Sequence, residues 1–111
     1  MSDRSKVVII LVTAPDAKAA GEIARDLLGR RLVACANIIP GIRSIYWWEG
    51  QLEESDEALM VLKARKADVA AIAEQVRYLH PYAVPEVVAA EVVGGLEAYL
   101  DWIGKETERD R

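Results

Sequence analysis

Apolar residues along this chain alternate between two rhythms. Residues 7–13 form a continuous, β-branched apolar run of strand length. Ala20, Ile23, Ala24, Leu27 and Leu28 then recur at helical spacing, predicting a helix over 17–30 that Pro15 and Asp16 start and Gly29 closes. A second strand region runs from Leu32 to Trp48, interrupted at Pro40-Gly41 by either a turn between two strands or a bulge in one. After a turn at 49–51, residues 57–65 (EALMVLKAR) read as a third strand. Val69, Ile72, Ala73, Val76 and Leu79 mark a helix over 66–79. HPYAVP ends that helix, because residues before proline avoid helical geometry. Residues 86–93 give a fourth strand, Gly94-Gly95 a turn, and 96–104 a short last helix. The ends, about 1–5 and 105–111, are expected to be frayed.

This order predicts an α+β chain, a ferredoxin-like β-α-β-β-α-β sandwich with a C-terminal helix, in a single domain over 1–111. Its open sheet face should alternate with polar residues, yet VVIILV, ALMVL and EVVAA barely alternate. Two helices cannot cover both faces, so other copies of the chain are expected to cover the second. The stretch IRSIYWWEG agrees. Ile42, Ser44, Tyr46 and Trp48 share one face and Arg43, Ile45 and Trp47 the other, and neither set resembles a solvent face. Tyr46, Trp47 and Trp48 are therefore the candidate interface aromatics.

Composition narrows the classes. At 111 residues, 52% hydrophobic and 29% charged, the chain has the balance of one soluble globular domain. Its net charge of 14 − 18 = −4 disfavours a nucleic-acid partner. RNA-binding modules share the strand order, but IRSIYWWEG does not match their signature. The apolar run at 7–12 is too short to span a bilayer and no signal cleavage site follows it. With one cysteine, Cys35, no internal disulfide, zinc ribbon or Cys-x-x-Cys motif can form. A cytoplasmic protein is expected, with neither nucleic acid nor membrane as partner.

The residues VTAPD (12–16), RRLVACANIIPGIRSIYWWEG (30–50), LKAR (62–65), HPYAVPE (80–86) and YLDWI (99–103) resemble the CutA family of divalent-cation-tolerance proteins. The match runs from about Val8 to Gly104, and the order ACANIIPG, SIYWWEG, HPY-x-VPE is specific in combination. The resemblance implies a compact homotrimer similar to PII-type signalling trimers, with Pro40-Gly41 a bulge in one long strand. It implies a non-enzymatic role in tolerance of copper or another divalent cation. It also implies copper ligands at a cysteine near the end of the first strand and at a histidine pair before Pro-Tyr. Here Val12 stands at the first place and Leu79 precedes His80 at the second.

The remaining candidate metal ligands are His80 and Cys35. Two such residues cannot close a four-coordinate site within one chain, so copies would have to meet. The simpler readings are a small apolar strand residue for Cys35 and a helix-end residue for His80. Lys63, Tyr82, Glu86 and Trp48 are expected to line an inter-subunit cleft for a small anion or metabolite, with a Lys63–Glu86 ion pair as the structural alternative. The acidic run EGQLEESDE (49–57) reads as a solvated hairpin tip. No phosphate loop, nucleophile elbow or metal-hydrolase histidine pair is present in the sequence. A PII-like small-molecule sensor, or a trimeric scaffold for a partner protein, is the alternative function.

Overall fold

The computed structural model describes residues 6–109. Its elements are β1 (Val7–Ala14), α1 (Ala17–Gly29), β2 (Cys35–Trp48), β3 (Gln51–Arg65), a 3-10 turn (Lys66–Asp68) leading into α2 (Val69–Leu79), β4 (Val87–Glu91) and α3 (Glu97–Glu106). The strands form one antiparallel sheet in the order β2-β3-β1-β4. The mixed α+β order expected from periodicity is therefore the order that folds.

Alternation decides the core. Val8, Ile10, Val12 and Ala14 of β1 and Ala58, Met60, Leu62 and Ala64 of β3 point to one face. There they meet Ala20, Ile23, Ala24 and Leu27 of α1 and Ile72 and Val76 of α2. Asp16 caps α1, its carboxylate accepting from the Ala19 N–H at 2.8 Å. The helix closes with Arg31 in the left-handed region (φ 60°), so that the Leu32 N–H reaches Leu27 O and the Arg31 N–H reaches Leu28 O. That closing turn occupies Leu32, and β2 begins at Cys35 rather than at the expected Leu32.

β2 is one strand, not two. Between Ile39 and Ile42 the pairing with β3 shifts by one residue, and Gly41 takes a φ of +72° that favours glycine. The bulge keeps Ile39 and Ile42 on the same face although three positions separate them. β2 and β3 then run on to a two-residue turn at Glu49 (φ 50°) and Gly50 (φ 79°), the primed geometry that matches strand twist. The solvated tip expected over 49–57 shrinks to that turn. β3 starts at Gln51 rather than Glu57, because β2 supplies ladder partners all the way out and Arg43 faces Glu54 (3.3 Å) and Asp56 (3.6 Å).

The C-terminal expectation is also corrected. Lys105 and Glu106 belong to α3, Thr107 is buried, and Arg109 reaches Asp68 at 2.7 Å. Residues 1–5 and 110–111 lie outside the described residues. α3 packs Leu100 and Ile103 on Val7, Ala34 and Val92, at one end of the sheet face opposite α1 and α2. The rest of that face stays open, with Ile39 and Val88 exposed and Leu11, Leu59 and Val61 half-buried. Along the outer hairpin Trp47, Ile45 and Leu52 form one exposed apolar face, and Tyr46 and Trp48 lie on the other. Among the described residues, no helix is long and apolar enough to cross a membrane.

Candidate functional site

The 80–86 segment crosses the end of the sheet where β1 finishes and the outer hairpin begins. His80 is the residue after α2 and is 7% exposed. Its Nε2 lies 2.7 Å from the Thr13 carbonyl, and its Nδ1 accepts from the Tyr82 N–H at 3.1 Å. A carbonyl can only accept and a backbone N–H can only donate, so Nε2 carries the proton and Nδ1 presents its lone pair. Both ring nitrogens are thereby engaged by the backbone, and the ring lies 4.7 Å from that of Tyr82.

Tyr82 continues the chain of contacts. Its hydroxyl donates to Glu57 Oε2 at 2.8 Å, and Glu57 is itself 7% exposed. Burial first, and then the hydrogen bond to Glu57, push the Tyr82 phenol up to about 12. Beside this pair lies an open cavity of about 650 Å³, lined by Thr13, Tyr46, Trp48, Glu57, Tyr82 and Glu86 among others. Tyr46 is itself within 3.2 Å of the Ser55 hydroxyl.

Titration of the four tyrosines should expose this arrangement. A phenol whose folded value exceeds its unfolded one contributes stability that is complete below about pH 10 and is lost as pH rises through about 12. Tyr82 is therefore expected to be the last phenolate to appear in ultraviolet absorbance. Tyr82→Phe should delete that final step and flatten the alkaline loss of stability. Survival of the late step in the variant would assign it to another phenol, such as Tyr99, which burial also raises.

Within one chain, the residues expected to line the inter-subunit cleft fall in two places. Trp48, Tyr82 and Glu86 come together, but Lys63 does not join them. Lys63 shares a sheet face with Glu57 yet lies six residues along β3, about 20 Å at strand rise. There it donates to Asn37 Oδ1, opposite Cys35 in the ladder, and borders a separate apolar cavity of about 460 Å³ with Val7, Ile9 and Tyr99. Within one chain no Lys63–Glu86 pair forms. Sequence reasoning missed Glu57, Thr13 and Tyr46 as cavity residues. The available signal for Glu57 was its phase, since it starts an apolar strand on the open-face parity.

The two candidate metal ligands are likewise apart. Cys35 is paired with Lys63 on β3, whereas Thr13, which anchors His80, is paired with Leu59, four residues or about 13 Å away. The Cys35 thiol lies 3.8 Å from Asn37 Oδ1. Among the described residues, no three His, Cys, Asp or Glu side chains converge as a metal site.

Comparison with known proteins places these features in a family. The family described as CutA1 divalent ion tolerance protein matches residues 8–106. Protein CutA of Mus musculus is 48% identical over 97 residues, covering 87% of this chain and 55% of that protein. The divalent-cation tolerance protein CutA of Thermus thermophilus is 41% identical over 99 residues, covering 89% of this chain and 96% of that one. The crystal structure of CutA1 from Oryza sativa superimposes with a TM-score of 0.90 at 37% identity, covering 95% of this chain and 96% of the other. The chain spans little more than half the length of the mouse relative and of other eukaryotic relatives.

Proposed function

The chain belongs to the CutA1 divalent ion tolerance family, and on that premise we propose that it acts in tolerance of divalent cations, copper first, as a non-enzymatic homotrimer. The observation that carries the metal role is the match over residues 8–106, which takes in all four strands apart from Val7. Support for a non-enzymatic role comes from the only histidine of the sequence, whose two ring nitrogens hold the backbone rather than a reacting group. A trimer is supported by the half-open apolar sheet face and by the fourteen-residue edge strand β2, whose outer ladder groups invite pairing with another copy. A cytoplasmic location is part of the same proposal, supported by a cysteine count that allows no internal disulfide.

Copper coordination in this reading draws donors from more than one copy, with Cys35 as the soft ligand. Light scattering during gel filtration should give three times the 12.3 kDa chain mass. Calorimetric titration of that species with Cu(II) and Zn(II) tests the metal role. Stoichiometric copper uptake is expected, weakened in Cys35→Ser and retained in His80→Gln. A wild-type protein that takes up neither ion would defeat metal binding, and loss of uptake in His80→Gln alone would move the site to the 80–86 segment.

A further inference from the structure

We draw no further inference here: the strongest candidate, the groove of about 320 Å³ that Ala19, Glu22, Ile23, Leu79 and Pro81 line on the helix side of the sheet, away from the face assigned to the subunit interface, carries none, because nothing in the structure shows what covers it.

Discussion

Replacing Asp68 with alanine is expected to lower the free energy of unfolding by about 3 kcal/mol, read from urea titration at fixed protein concentration. Asp68 ends the 3-10 turn before α2, and its side chain is 7% exposed. It accepts from Arg65 Nε at 3.1 Å and from Arg109 Nη2 at 2.7 Å. Those partners are 19% and 32% exposed at the side chain, so the cluster lies between a buried and a surface ion pair. Deleting the shared carboxylate leaves two guanidinium groups beside each other without their counter-charge, and Arg65 has little access to water. Arg109 also donates to the Arg31 and Thr107 carbonyls, so its displacement would release the chain end from α1's closing turn. Asp68→Asn keeps an acceptor and should cost roughly half as much. The exposed Lys18–Glu22 pair on α1 supplies the contrast, since Glu22→Ala should leave stability nearly unchanged. A loss below about 1 kcal/mol in Asp68→Ala would mean that both arginines reach solvent and that the cluster does not anchor the C-terminal segment.

That cluster marks the limit of what residue patterns could disclose. Strand and helix identities followed from local period, and β1, α1 and α2 lie within a few residues of their expected positions. The charged sequence KETERDR gave no local reason to expect order, because the partner that orders Arg109 is 41 residues earlier. The acidic residues 53–57 looked like a loop for a similar reason. Their strand conformation depends on a ladder with β2 and on Arg43 across it, both non-local. Lys63 and Glu57 share a face by strand phase, but phase does not carry distance along the strand. Within one chain, Trp48, Tyr82 and Glu86 of the expected inter-subunit cleft therefore stand apart from Lys63. The side of the sheet taken by α3 was not legible either, since a helix of ten residues fits either face by its own pattern.

His80 carries the other large expected effect, because both of its ring nitrogens bond the backbone. His80→Ala should lose about 2–3 kcal/mol of stability, as two part-buried hydrogen bonds disappear and the Thr13 carbonyl and Tyr82 N–H are left without their histidine partner. The ring's packing on Tyr82 goes with them. A second readout separates this role from simple loss of bulk. With its backbone N–H released, Tyr82 should swing away from Glu57, and its phenol should titrate below the native value of about 12. His80→Gln can restore a donor near the Thr13 carbonyl, but its Oε1 acceptor lies farther along the side chain than Nδ1, so it should recover about 1 kcal/mol and only part of the titration shift. Copper uptake should be unchanged in the glutamine variant, because neither ring nitrogen is open to a metal while both backbone bonds persist. The opposite pattern would return His80 to the metal and remove it from the scaffold: native stability and native Tyr82 titration in His80→Ala, with uptake abolished. The two roles make contrary demands on the same lone pair at Nδ1, which in this fold is already accepting from Tyr82.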